Sequence, residues 1–127
     1  MDFKKLANQY RDELLDNVLP FWLEHSQDLE FGGYFSCLDR EGKVFDTDKF
    51  IWLQGREVWM FSMLYNKVEK RQEWLDCAVQ GGEFLKKYGH DGNYNWYFSL
   101  DRSGRPLVEP YNIFSYTFAT MAFGQLS

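Results

Sequence analysis

Arg56 is the residue whose type and position most clearly suggest chemistry. It lies in a proline-free stretch, 49–61, whose apolar residues recur at near-helical spacing, so we predict a helix. Trp52 precedes Arg56 by four residues, and both side chains therefore share one face of that helix. Because the predicted helix is apolar nearly all round, we expect it to be buried on every side. A guanidinium in that setting must be paired, or must face a wet cavity where a ligand can reach it.

The other titratable residues have less specific positions. His25 lies near the end of a predicted helix and His90 lies in a polar turn, and we expect neither histidine to be catalytic. The alternative for Arg56 is a structural ion pair, since buried ion pairs also occur without function. The candidate partners in that case are Glu57, Asp48 and Glu109.

The elements that position these residues follow from the polarity pattern. The first predicted helix has one apolar stripe, and Pro20 should kink or break it because proline lacks a backbone donor. Two short hairpins are predicted around polar runs that end in Gly42 and Gly104. Asp48 or Thr47 is expected to cap the central helix. The predicted helices cover about 2–26, 49–66, 72–88 and 113–123, and the hairpins cover about 34–45 and 96–108.

A repeat relates the two halves of the chain. The run Leu38-Asp39-Arg40-Glu41-Gly42 recurs 62 residues later as Leu100-Asp101-Arg102-Ser103-Gly104. Each unit, 1–66 and 67–127, therefore consists of an amphipathic helix, a hairpin and an apolar helix. We predict an all-α fold, an (α/α) toroid in which apolar inner helices lie inside amphipathic outer helices, with short β-hairpins between them. Two units cannot close a ring, so the chain is expected to be the N-terminal part of a longer protein.

Composition restricts the classes of function. The chain has 127 residues, of which 45% are hydrophobic and 20% aromatic, enough for one core and for an aromatic-lined groove. The net charge of −5 argues against nucleic acid and anionic membranes as partners. No apolar run reaches transmembrane length, and Cys37 and Cys77 are expected to be reduced thiols. We expect a cytoplasmic protein with a small-molecule partner and no metal site.

Several separated motifs carry a resemblance to a known family. The motifs are Gly32-Gly33-Tyr34-Phe35, Leu38-Asp39-Arg40-Glu41-Gly42, Asp48-Lys49, Trp52-Leu53-Gln54-Gly55-Arg56 and Ile113-Phe114-Ser115. Together they resemble the N-terminal portion of the N-acylglucosamine 2-epimerase family, which includes renin-binding protein and is related to cellobiose 2-epimerases and aldose-ketose isomerases. The resemblance implies an (α/α)6 barrel, with about two of its six units present, and a sugar 2-epimerase that interconverts N-acylglucosamine and N-acylmannosamine by removing and returning the C2 proton.

The resemblance also implies roles for individual residues. Arg56 is expected to be catalytic by binding or polarising the substrate oxygen, and Trp52 is expected to form the pocket wall. Tyr116 stands where many relatives carry an acidic residue, and we expect it to face the pocket and bind substrate. Neither histidine matches the acid–base pair of the family, which is expected beyond Ser127, so the chain alone is predicted to be inactive.

The chemistry of the residues agrees with these roles. A fixed guanidinium stabilises the negative charge of an enediolate, and the flat C–H face of a sugar packs on Trp52, Trp59 or Trp96. No cofactor is expected, and the nucleotide effector that the resemblance allows has no readable signature in these residues. Faces meant for further units should be exposed, which predicts a homodimer.

Other functions stay open. A cellobiose 2-epimerase-like enzyme or an aldose-ketose isomerase would keep the toroid. A toroidal glycoside hydrolase would use Asp48 and Glu109, which lie 61 residues apart at equivalent ends of the two hairpins, as its carboxylate pair. A helical scaffold that binds protein partners is disfavoured, because the apolar inner helices offer no charged groove.

Overall fold

The computed structural model describes residues 1–110 and 112–127, and it contains helices with short β-hairpins between them, as predicted. No helix among these residues is long and apolar enough to cross a bilayer. The helices are α1 (Phe3–Glu13), a π-helical segment (Leu14–Val18), α2 (Leu19–His25), α3 (Ile51–Lys67), α4 (Gln72–Tyr88) and α5 (Phe114–Leu126). The strands are β1 (Cys37–Leu38), β2 (Val44–Asp46), β3 (Lys49–Phe50), β4 (Ser99–Leu100) and β5 (Pro106–Val108).

The first helix continues from Phe3 to His25 but changes its hydrogen-bond spacing just before Pro20, the residue at which we predict a kink or break. The N–H of Leu19 bonds to the carbonyl of Leu14, five residues earlier, so the helix widens into a π-turn immediately before the proline. Pro20 then lies in the first turn of α2, where its missing donor costs little. The apolar stripe of α1 does not pack on the core: Phe3 is 74% exposed, and α1 contains no buried residue.

The core forms where α3 packs against α4 and α5. Ile51, Val58 and Phe61 of α3 are fully buried, together with Trp74 and Leu85 of α4. Their burial supplies the main stabilising term, because apolar area removed from water contributes roughly 25 cal/mol per Å².

The glycine pair of α4 permits close packing. A Cβ at Gly81 would lie 2.2 Å from the hydroxyl of Tyr34, and a Cβ at Gly82 would lie 2.6 Å from the side chain of Leu126. The buried Tyr34 ring therefore passes directly over α4, and its hydroxyl donates to the carbonyl of Cys77 at 2.7 Å. Cys77 and Cys37 are both free thiols and form no disulfide bond with each other.

The repeated Leu-Asp-Arg-x-Gly run forms the same turn twice. In each hairpin the glycine has a positive φ, +85° at Gly42 and +97° at Gly104. The glycine N–H donates to the carbonyl of the aspartate three residues earlier, at 3.1 Å in both turns. The Asp39 and Asp101 carboxylates accept further backbone N–H groups of their own turns. The sequence repeat is therefore a repeat of turn chemistry, since only glycine adopts this φ without strain.

The start of α3 differs from the prediction. Lys49 and Phe50 do not belong to the helix but form β3, which pairs antiparallel with β4 of the second hairpin. The N-cap is Phe50 and makes no side-chain capping bond, so the expected cap by Asp48 or Thr47 is wrong. The physical reason is that the N–H of Ile51 already donates to the carbonyl of Phe98 at 3.0 Å. The carbonyl of Phe98, next to β4, thus accepts a hydrogen bond from a backbone N–H that a polar cap would otherwise bind.

The expectation that α3 is buried on every side is also wrong. Its neighbours are α4 and α5, and one stripe of the helix stays open to solvent. The stripe follows helical spacing, because a helix returns to the same face every three or four residues. It consists of the partly buried Trp52, Leu53, Trp59, Met60 and Met63 and the exposed Arg56.

Candidate active site

Arg56 lies on the open stripe of α3, and its guanidinium is exposed rather than buried. Its carbon Cζ lies 5.8 Å from the ring centre of Trp52 and 5.8 Å from that of Phe118 on α5. No carboxylate in residues 1–110 and 112–127 forms an ion pair with it. The structural ion-pair alternative is therefore wrong: Arg56 is a cation flanked by two rings and accessible to a ligand.

The rings beside Arg56 continue into an aromatic cavity of about 300 Å³. Trp52 and Phe118 pack at a tilt with ring centres 6.0 Å apart, and their faces line this cavity. Aromatic faces of this kind pack well on the C–H faces of a sugar ring, while the guanidinium can bind an oxygen at the edge of the same ring. The remaining lining residues are Phe98, Asn112 and Phe114.

Arg56 itself lines a different cavity, of about 280 Å³, between α3 and the first helix. Trp22 and Trp59 form its walls, and Trp59 is only partly buried. Glu57 and Ser36 also line this cavity. The hydroxyl of Ser36 is buried and has no hydrogen-bond partner among the described residues.

Glu57 is the residue of this region whose ionisation is most perturbed. Burial away from water raises its pKa to about 8, and the hydrogen bond with Ser26 opposes that effect only in part. The hydrogen bonds support a protonated carboxyl group: the Ser26 hydroxyl oxygen lies 2.6 Å from the carbonyl of Trp22 and 2.5 Å from Oε1 of Glu57. One hydroxyl hydrogen cannot serve both acceptors, whereas a protonated Glu57 donates to Ser26, which then donates to Trp22.

The structure does not bring Tyr116 to Arg56. Tyr116 is partly buried on another side of α5, and its hydroxyl donates to Oδ1 of Asn95 at 3.4 Å. It lines a separate cavity with Glu109, and Asp48 does not line that cavity. The substrate-binding role of Tyr116 stays a prediction, and the two carboxylates of the hydrolase alternative do not share that space.

The two histidines have local partners. His25 packs against Phe21, with ring centres 4.9 Å apart, and lies directly under Gly42. His90 accepts a hydrogen bond from the N–H of Gly92 at 3.1 Å and packs against Trp96, with ring centres 5.0 Å apart. Neither histidine lines a cavity with Arg56.

A buried ionic cluster near the first hairpin was not predicted. The side chain of Lys49 is completely buried, and its Nζ donates to Oδ2 of Asp28 at 2.9 Å and to the carbonyls of Gly32 and Arg102 at 2.6 and 2.8 Å. Arg102 also donates to both oxygens of Asp28. These cations and hydrogen bonds outweigh the effect of burial and lower the pKa of Asp28 to about 2. Every Lys49 donor is bound, so this cluster is structural.

The comparison with solved structures places the chain, as a class, in the fold of the toroidal sugar epimerases. Cellobiose 2-epimerase from Bacillus thermoamylovorans B4167 superposes with a TM-score of 0.87 at 29% identity. The superposition covers 97% of this chain and 32% of that chain. The toroid predicted from the alternation of helices is thereby confirmed.

Sequence relatives define the particular family. N-acylglucosamine 2-epimerase from Mus musculus is 48% identical over 119 residues, covering 91% of this chain, and cellobiose 2-epimerase from Dictyoglomus turgidum is 30% identical over 120 residues, covering 93%. The family model for N-acylglucosamine 2-epimerase (GlcNAc 2-epimerase) matches residues 33–127. The chain belongs to the N-acylglucosamine 2-epimerase family. It spans 28% and 30% of the length of these two relatives.

Proposed function

We propose that the protein works as a sugar 2-epimerase that interconverts N-acylglucosamine and N-acylmannosamine, with Arg56 binding the substrate oxygen. Family membership supports the class of reaction. One structural observation supports the residue role: the Arg56 guanidinium is exposed, flanked by two rings, and without an ion-pair partner among the described residues.

The reaction explains why an unpaired guanidinium is useful. Removal of the C2 proton places negative charge on the neighbouring carbonyl oxygen. A guanidinium held at that oxygen binds the enediolate more strongly than the neutral sugar, which lowers the barrier. Trp52, one turn earlier, offers a ring for the sugar's C–H face. Because neither histidine lines the Arg56 cavity or the aromatic cavity, we propose that the proton-transfer groups lie outside this sequence.

Proton exchange at C2 tests this role directly. The assay follows loss of the C2 proton of N-acetylmannosamine in D₂O by NMR, in a protein that contains this sequence together with the proton-transfer groups. We expect Arg56→Gln to slow exchange by about 10² to 10³, the usual effect of removing one oxyanion donor. Arg56→Lys should also be slow, because an ammonium lacks the planar fork of a guanidinium.

Arg71 offers a matched control. Its guanidinium also lies over a tryptophan, 4.7 Å from the ring centre of Trp74, but it is bound to Glu69. Arg71→Lys should leave the exchange rate unchanged. Exchange at the wild-type rate by Arg56→Gln would refute the assigned role.

Cellobiose epimerisation is the second candidate, because relatives named for that activity match in sequence and in structure. A panel of N-acetylmannosamine, mannose and cellobiose, with product analysis, separates the candidates. A 2-epimerase yields the C2 epimer, an aldose-ketose isomerase yields a ketose, and a hydrolase would cleave cellobiose.

Self-association, a cytoplasmic location and a role in amino-sugar metabolism complete the proposal. Phe3 and Tyr10 on α1 are 74% and 70% exposed, which supports self-association through this helix. Light scattering on Phe3→Ser and Tyr10→Ser should report a smaller particle than the parent protein. The unbonded Cys37 and Cys77 support a reducing compartment.

A further inference from the structure

The conformation of the Arg56 side chain depends on a contact between two helices. Trp52 comes from the same helix as Arg56, whereas Phe118 comes from α5, and each ring centre is 5.8 Å from Cζ. An arginine side chain has several freely rotating bonds and loses much entropy when it is fixed. With no anion bound to it in the described part of the chain, these two rings are its only recorded partners.

Gly55 determines how closely Phe118 approaches. A Cβ at Gly55 would lie 2.8 Å from the carbonyl oxygen of Phe118, 2.9 Å from its carbonyl carbon and 3.1 Å from its Cβ. These atoms are backbone or backbone-attached and cannot rotate away. The absence of a side chain at position 55 therefore lets α5 contact α3 one residue before Arg56. This contact fixes the position of the Phe118 Cβ, from which the ring projects.

Phe114 shows that the contact is specific to position 118. It lies one turn earlier on α5 and lines the same aromatic cavity, yet it is 61% exposed and makes no recorded contact with the guanidinium. Of the two α5 phenylalanines in this cavity, only Phe118 is placed to restrict Arg56.

We infer that Phe118 is a positioning residue for Arg56: with Trp52 it confines the guanidinium to the space beside these two rings, and Gly55 sets the distance at which it does so. The consequence for catalysis rests on the proposed function, in which Arg56 binds the substrate oxygen. A guanidinium confined in advance loses less entropy when the oxyanion forms, so removal of the Phe118 ring should lower kcat more than it raises KM.

The test compares three variants. Phe118→Leu removes the ring but keeps the Cβ that touches Gly55, Phe118→Tyr restores an aromatic ring, and Phe114→Leu is the matched control from the same cavity. The first readout is the proton NMR shift of the Arg56 δ-methylene group, which ring currents move upfield. We expect Phe118→Leu to return this signal toward its position in free arginine, Phe118→Tyr to keep it, and Phe114→Leu to leave it unchanged.

The second readout is the C2 proton-exchange assay. Phe118→Leu should lower kcat by about two- to five-fold, the range that a cation–π contact at an exposed site accounts for, and Phe118→Tyr should recover most of that loss. If Phe118→Leu does not fold, Phe118→Met serves the same purpose with a flexible side chain of similar volume.

The inference is overturned by an unshifted Arg56 signal in the wild type, by an unchanged signal in folded Phe118→Leu, or by an equal shift of that signal in Phe114→Leu. Failure of the proposed function gives a different pattern. If no sugar undergoes C2 exchange but the Arg56 signal responds to the three variants as stated, the positioning stands and the assigned reaction is wrong.

Discussion

Gly55→Ala and Gly124→Ala should change stability in opposite directions. Both glycines lie inside helices, where alanine is ordinarily better by about 0.5–1 kcal/mol. At Gly124 nothing lies within 4 Å of the added Cβ, so that full gain should appear. At Gly55 the new methyl group would lie 2.8 Å from the Phe118 carbonyl oxygen and would force α3 and α5 apart.

The magnitude at Gly55 is a balance of two effects. Overpacking against fixed atoms typically costs about 1–3 kcal/mol, which exceeds the gain in helix propensity. We therefore expect Gly55→Ala to be destabilised by about 0.5–2 kcal/mol, and the two variants to differ by about 1–3 kcal/mol. Urea unfolding monitored by far-UV circular dichroism measures both, and an unchanged m-value shows that the comparison concerns stability alone. If Gly55→Ala proves as stable as Gly124→Ala, the helices are not in contact at Phe118 and the positioning of Arg56 fails with it.

Two further predictions concern buried charge. The pKa of Glu57 is raised to about 8, above its unfolded value near 4.3, so the folded state holds the extra proton between these pH values. The free energy of unfolding should therefore fall as pH rises through this range, by up to about 1.4 kcal/mol per pH unit. Glu57→Gln should abolish that slope in pH-dependent urea titrations, and an unchanged slope would show that another group causes it. Asp28→Asn should destabilise the protein by about 3–5 kcal/mol, because Lys49 and Arg102 lose their common counter-charge. Glu69→Gln, which removes the surface ion pair with Arg71, should cost less than about 1 kcal/mol. Thermal unfolding measures both variants, and similar losses of stability would contradict the prediction.

The elements that the sequence predicted well are those with a local signal. The two Leu-Asp-Arg-x-Gly runs carry both the turn acceptor and the residue that tolerates positive φ, so both hairpin turns follow from a few adjacent residues. The change in helix geometry beside Pro20 also follows from a local signal, because proline lacks a backbone N–H whatever the rest of the chain contacts. The helices were likewise visible from their periodicity.

The elements that the sequence did not predict depend on distant partners. Strand β3 is only two residues long, so it has no periodicity, and it exists because the second hairpin lies beside it. The role of Phe118 depends on Gly55, 63 residues earlier, and a glycine inside a helix signals close approach without naming the partner. Two of the three predicted site residues, Arg56 and Trp52, do lie together, because helical spacing alone places them on one face. Whether Tyr116 faces Arg56 depends on how α5 is rotated about its own axis, which residue spacing does not determine.

Lys49 and Arg56 show how structure separates a stabilising cation from a binding one. Both occur in the same apolar stretch, seven residues apart, and the sequence does not show which of them has its donors occupied. Lys49 is fully buried, with one carboxylate and two carbonyls around its three donors, so a ligand could reach it only by breaking those bonds at a cost of several kcal/mol. Arg56 has its guanidinium donors unsatisfied within the described chain and its position limited by rings, which hold a cation without occupying its donors. A binding arginine needs that combination of confinement and free donors, and of the two cations only Arg56 has it.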